Sequence, residues 1–259
     1  MLDEYYDYFN RPSFIESDPV QIPHLFTSQK DIEISAFLTA SIAWGQRPVI
    51  IRNAQNLIES MPDGPYEFLM QADEDQIEFF SGFKHRTFNG TDCIFFLHSL
   101  RNIYLYHNGL KGVFEEGFRL YGNIPDTIMH FRNVFFSTPF PQRTLKHIAD
   151  VSNNASAKRI NMFLRWMVRK DDRGVDFGLW DIPASALYIP LDLHTGRTAR
   201  ELGLLTRKQN DWKAVRELTY ALRKFDPDDP VKYDFALFGL SALGNKNHGD
   251  TENTEFHGK

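Results

Sequence analysis

Apolar residues recur along this chain mostly at the three- and four-residue spacing of a helix, and few stretches alternate as a strand does. The first short helix falls at Asp3–Phe9. Ile34, Phe37, Leu38, Ser41 and Ile42 mark a buried helix over Ile32–Trp44. Gly45–Gln46 breaks it, and Pro48 suits the first turn of a helix reaching about Ser60. Short helices follow at Tyr66–Gln71 and Glu74–Phe80. A stronger one spans Cys93–His107 behind a Thr91 or Asp92 cap. The same spacing predicts helices at Leu110–Tyr121, Asp126–Phe136 and Gln142–Val151. A basic helix follows at Ala157–Arg169, then helices from Asp192 to about Leu202, at Trp212–Lys224 and at Val231–Leu243. The polar run 245–259 reads as a disordered tail. The architecture expected is all-α: a single helical domain over 1–244, made of two helical lobes with a cleft between them.

Composition narrows the class. Hydrophobic residues make up 42% of 259, with 23 Phe, which supports a sizeable core. No apolar run approaches the ~20 residues of a membrane span, and the acidic, aromatic start MLDEYYDYFN is unlike a signal peptide. The single cysteine, Cys93, excludes a disulfide framework and an all-cysteine metal site. The histidines show no metal-ligand spacing. The expectations are a cytoplasmic monomer with no membrane association, no cofactor and no metal.

Net charge is −5, yet it is unevenly spread. Residues 1–34 carry seven acids against two bases, whereas residues 143–173 carry eight bases against three acids. A basic segment on an acidic chain fits either a polyanion site or a solvated helix face. Within the basic helix, Ile160, Phe163, Leu164, Met167 and Val168 form one stripe, which must be core. Lys158, Arg165 and Arg169 fall on the opposite side, toward solvent or a cleft. Ser156 is a suitable N-cap. Lys158 stands in the first turn, where the positive end of the helix dipole opposes a protonated amine, as a nucleophilic lysine requires. Asp192 precedes the next helix, as an N-cap does, and a capped carboxylate is also well placed to stabilise positive charge opposite it.

Lys158 with its apolar helix, then Pro190-Leu191-Asp192-Leu193-His194 with Arg197, Arg200, Leu202 and Gly203 behind, resembles the helix-hairpin-helix DNA glycosylases. These are the endonuclease-III-like and 8-oxoguanine-glycosylase-like enzymes, and the matching block here is about 142–203. The chain as a whole also resembles an uncharacterised bacterial family of unknown function within that superfamily. The resemblance implies base-excision repair on duplex DNA with a damaged base. Lys158 would form a Schiff base with the sugar, giving abasic-site lyase activity. Asp192 would be the essential aspartate, and His194 a supporting residue two positions on. It further implies phosphate contacts from Lys146, Arg165 and Arg169, and a DNA-facing turn at Gly45, Gln46 and Arg47. Trp44 and Trp180 fall near the expected cleft, where a ring can stack on an extruded base or simply pack in the core. The stretch Val151–Ser156 lacks the family's glycines, the Lys158-to-Asp192 connection is longer than usual, and no cysteine cluster follows Gly239. Two other readings stand beside the enzyme: a non-catalytic nucleic-acid binder on the same fold, and a helical interaction protein. In the enzymatic reading, Lys158 and Asp192 lie on the wall of one pocket within about 8 Å, leaving room for a sugar.

Overall fold

A computed structural model describes the backbone of residues 1–249 and the side chains of residues 1–242. It is mostly helical. The first half holds α1 (Leu2–Phe9), α2 (Pro12–Ile15), α3 (Gln29–Ser41), α4 (Arg47–Glu59), α5 (Pro65–Gln71) and α6 (Glu74–Glu78). A two-stranded antiparallel ribbon, β1 (Lys84–His85) and β2 (Phe88–Asn89), comes next. Then follow α7 (Gly90–Tyr106), α8 (Gly109–Tyr121), α9 (Ile124–Phe135), α10 (Lys158–Val168), α11 (Leu193–Glu201), α12 (Trp212–Leu222) and α13 (Tyr233–Gly249). No helix among the described residues is long and apolar enough to cross a membrane.

α3 is the axis of the molecule. Every residue from Ile32 to Ser41 is buried, including Glu33. Such burial needs a helix that is apolar or small all round, which Ala36, Ala40 and Ser35 provide. Phe37 at its centre meets Phe96, Phe131, Phe135 and Phe163 at ring-centroid distances of 5.5 to 5.9 Å. Burying one such side chain contributes about 1.5–3 kcal/mol, so this quartet ties α7, α9 and α10 to α3. At the other end of the chain α1 packs on α13. The contact is so close that a Cβ on Gly239 would stand 2.0 Å from the Phe9 ring, so only glycine fits there.

Several boundaries differ from the sequence expectation. The α7 cap is Asn89, whose side chain and that of Asp92 form a reciprocal capping box. Thr91 and Asp92 already lie inside the first turn. The helix expected over Gln142–Val151 is two 3₁₀ turns, Gln142–His147 and Val151–Asn153. Asp150 starts the second turn: it is extended, and its carboxylate accepts from the backbone N–H of Ser152 and Asn153, the capping role that Asp favours over a helix interior. α13 continues through 245–249, the start of the expected tail, and the remainder of that tail, 250–259, lies outside the described residues.

Candidate active site

α10 and α11 both begin at one cavity of about 770 Å³. Its walls come from the segment before α3 (Phe14, Asp18), the α3–α4 turn (Trp44, Gly45, Arg47), the start of α10 (Ser156, Lys158, Arg159), residues 190–195 and α13 (Asp234, Phe238). Lys158 Nζ stands 3.9 Å from Asp192 Oδ2, with the side chains 28% and 33% exposed.

The two carboxylate oxygens of Asp192 have separate jobs. Oδ1 accepts from the backbone N–H of His194 and Thr195, each at 2.9 Å, and so caps α11. Oδ2 is turned toward Lys158. The Asp192 carbonyl accepts from the Asn210 side chain at 2.8 Å, which fixes the segment from the far side. Gly196 lets this happen, because a Cβ there would come within 2.7 Å of Asn210.

The start of α10 is built without the expected cap. Its N-cap is Ala157, at φ +50°, with no side-chain capping bond. Ser156 sits one residue earlier, on the cavity wall, and its carbonyl accepts from Asn161 at 3.3 Å. Asn154 likewise adopts φ +62°. The 151–157 stretch therefore takes up left-handed conformations that usually favour glycine without containing one. Asn154 also anchors it to the start of α12, accepting from the backbone N–H of Trp212 at 3.1 Å and of Lys213 at 3.2 Å.

Arg165 and Arg169 are not on an open face. They are 3% and 1% exposed. Arg165 pairs with Asp176 and Asp234; Arg169 pairs with Asp171, Asp176 and Asp229 and accepts a further neighbour in the Tyr6 hydroxyl, to which it donates. These carboxylates come from the 170–181 insert, the 226–230 turn and α13, which fold over the polar side of α10 and bury it. The expectation that both arginines contact phosphates is corrected accordingly, and with it the expectation that both face solvent or a cleft. Of the two alternatives for Trp180 the structure shows packing and not a place for an extruded base: it is 3% exposed, donates its indole N–H to Glu33 at 2.9 Å and stacks on Phe114. A buried carboxylate on α3 gives the indole a partner away from the cavity.

Trp44 does line the cavity, half-buried, with the Arg159 guanidinium 4.7 Å over its ring. Burial lowers Arg159 to about 10. Arg47 lines it too, lying over the Phe238 ring at 4.4 Å. His194 is an exposed wall residue. Gln46 is the exposed N-cap of α4, and Lys146 is exposed on the 3₁₀ turn; neither lines the cavity. Two carboxylates that the sequence did not single out do line it. Burial raises the Asp234 carboxyl to about 6, with the charge of Asp192 acting the same way and Arg165 and Lys158 opposing. Burial also raises Asp18, whose Oδ1 accepts from the Val20 N–H at 3.1 Å. Asp18 precedes a proline and Asp234 opens a helix, so the only local signal at either was a cap. Among the described residues no cluster of His, Cys, Asp and Glu is arranged to hold a metal.

Residues 18–243 match the family described as "Protein of unknown function (DUF2400)". The chain belongs to the DUF2400 family. No curated protein and no solved structure matches it. The DUF2400 match takes in every wall of the cavity except Phe14, so Lys158, Asp192, Asp18 and Asp234 all lie within the family's own span.

Proposed function

We propose that this DUF2400 protein is a base-excision enzyme of the helix-hairpin-helix glycosylase type, with abasic-site lyase activity through Lys158. The observation that carries the reading is the Lys158–Asp192 pair, an amine 3.9 Å from a carboxylate on the wall of a cavity of about 770 Å³. A cavity of that size accommodates an extruded nucleotide. In this reading the helices on the two sides of the cavity act as two lobes, and the damaged nucleotide turns out of the duplex into the space between them.

The chemistry follows from the pair. Nζ of Lys158, as the free amine, attacks C1′ of the sugar. The bond from C1′ to the base breaks, and the base leaves with the bonding electrons. Asp192 Oδ2 stabilises the positive charge that develops at the sugar and relays a proton from the new ammonium to the departing base. The nitrogen lone pair then expels O4′, which takes up a proton, and a protonated imine remains. Trp44 and Phe238 offer rings for the base, and Arg47 a cation beside them. The uncapped first turn of α10 presents backbone N–H groups that suit a phosphate.

Borohydride trapping tests this. With duplexes carrying an abasic site or 8-oxoguanine, borohydride should reduce the imine and leave a protein–DNA adduct, and Lys158→Gln should abolish it. Wild-type protein that traps on no lesion rules out the lysine chemistry.

A further inference from the structure

With Arg165 and Arg169 neutralised, exposed cations are found elsewhere, on the ribbon next to the α3–α4 turn. In the β1–β2 register Lys84 faces Asn89 and His85 faces Phe88. His85 and Phe88 are buried, so Lys84 and the turn residues Arg86 and Thr87 point outward. The ribbon is held rigidly. One His85 ring nitrogen is 3.0 Å from the Trp44 carbonyl and the other 2.9 Å from the Asn53 amide. On the other side, Arg143 donates to the Thr87 carbonyl at 3.0 Å while pairing with buried Asp92 at 3.1 Å.

Arg86 occupies the tip at φ +54°, a conformation that costs a non-glycine residue about 1–2 kcal/mol. Its guanidinium packs on Gly45, where an added Cβ would stand 3.1 Å from Nη1, and Gly45 itself lines the cavity. Arg86 is therefore at the cavity rim. Lys146 lies one 3₁₀ turn beyond Arg143, and residues three apart in such a turn share a face. Arg86, Lys84 and Lys146 are exposed, and among the described residues none of them is paired with a carboxylate.

We propose that this face is a phosphate-contact surface for duplex DNA. Arg86 holds the backbone beside the extruded nucleotide, and Lys84 and Lys146 neutralise phosphates further along. The proposal rests on the reading of the cavity as a nucleotide site, since it is the position of Arg86 on that rim that selects a nucleic-acid backbone as the polyanion. Cations fixed on a braced ribbon lose little freedom on binding, which suits them to set the register of a duplex without reading its sequence.

The test is fluorescence anisotropy with an undamaged labelled duplex across a salt series. The wild-type protein is compared with the triple variant Lys84→Gln, Arg86→Asn, Lys146→Gln. Asparagine tolerates the left-handed conformation, and melting curves verify that the variant is folded. Wild-type affinity should fall as salt rises. Loss of three phosphate contacts should make the slope of log K against log salt shallower by about 2–3 and weaken low-salt binding by about tenfold or more. An unchanged slope overturns the proposal. So does a protein that binds polyglutamate but not duplex through the same residues, which would indicate an acidic protein partner. Wild-type borohydride trapping is scored separately. Loss of slope in the variant with no trapping by the wild type sinks the lysine chemistry alone. Trapping with an unchanged slope sinks the β-ribbon surface alone.

Discussion

Asp192→Asn separates the two jobs of that residue. The amide oxygen can still accept from the His194 and Thr195 N–H groups, because Asn and Asp cap helices about equally well. What changes is the atom facing Lys158, from a charged oxygen to an uncharged group. That pair is 3.9 Å apart and partly exposed, and solvent screening holds its contribution to stability to about 0–1 kcal/mol. Asp192→Ala, by contrast, removes the cap and should cost about 1 kcal/mol, lowering Tm by roughly 2–4 °C in a chain of this size. In the reaction the charge matters far more. Loss of an oriented proton-transfer group or of electrostatic stabilisation typically slows a step by about 10²–10⁴-fold, or about 3–5 kcal/mol of barrier. The assay pairs thermal melts of both variants with single-turnover base release on the lesion duplex that the wild-type protein opens. Asp192→Asn should melt within about 2 °C of wild type and be slowed at least about 10²-fold. An Asp192→Asn protein that melts as low as Asp192→Ala yet releases base at the wild-type rate would falsify the catalytic role and leave a structural cap.

Three further outcomes follow from the same geometry. Lys158→Gln should abolish trapping while moving Tm by no more than a few degrees, since its partner is a partly exposed carboxylate; a trapped adduct in this variant would assign the imine to another amine. Arg169→Met should cost about 3–5 kcal/mol in urea unfolding, because it takes the guanidinium from Asp171 and Asp229 and leaves the buried Asp176 with Arg165 alone, and a loss below about 1 kcal/mol would mean that the cluster is more hydrated than its burial indicates. Burial lowers His147 to about 4 from its ordinary 6.5, against the pull of Asp92. A lowered folded value favours the fold above 6.5, and that contribution is lost as pH falls from 6.5 through about 4. His147→Gln should therefore flatten the acid limb of the stability–pH profile by something on the order of 3 kcal/mol, and parallel profiles for the two proteins would refute it.

Most helices were legible as sequence because their signals are local. The α10 stripe Ile160, Phe163, Leu164, Met167 and Val168 is buried as its spacing requires, and Asp192 caps the helix that it precedes. The misjudged boundaries also have local causes that spacing alone does not weigh. Asp150 is the side-chain cap of a separate turn, Val151–Asn153, in place of a residue inside a helix over 142–151, and Ala157 stands in the left-handed position where Ser156 was expected to cap.

What the sequence by itself determined is the helical class, the core stripes, and the placing of Lys158 and Asp192 at the starts of α10 and α11. Each of these depends on residues within a turn or so of one another. What only the tertiary structure decided is which polar faces stay open. Arg165 and Arg169 project from the side opposite the apolar stripe, and nothing in the helix distinguishes water from carboxylates there. Asp171, Asp176, Asp229 and Asp234 arrive from other segments and bury both. Glu33 draws Trp180 into the core in the same way. Asp18 and Asp234 enter the cavity only because the segment before α3 and the start of α13 close on α10. A side chain's periodicity gives the direction in which it leaves its helix, and the charge and burial that it meets there are set by chain brought in from far along the sequence.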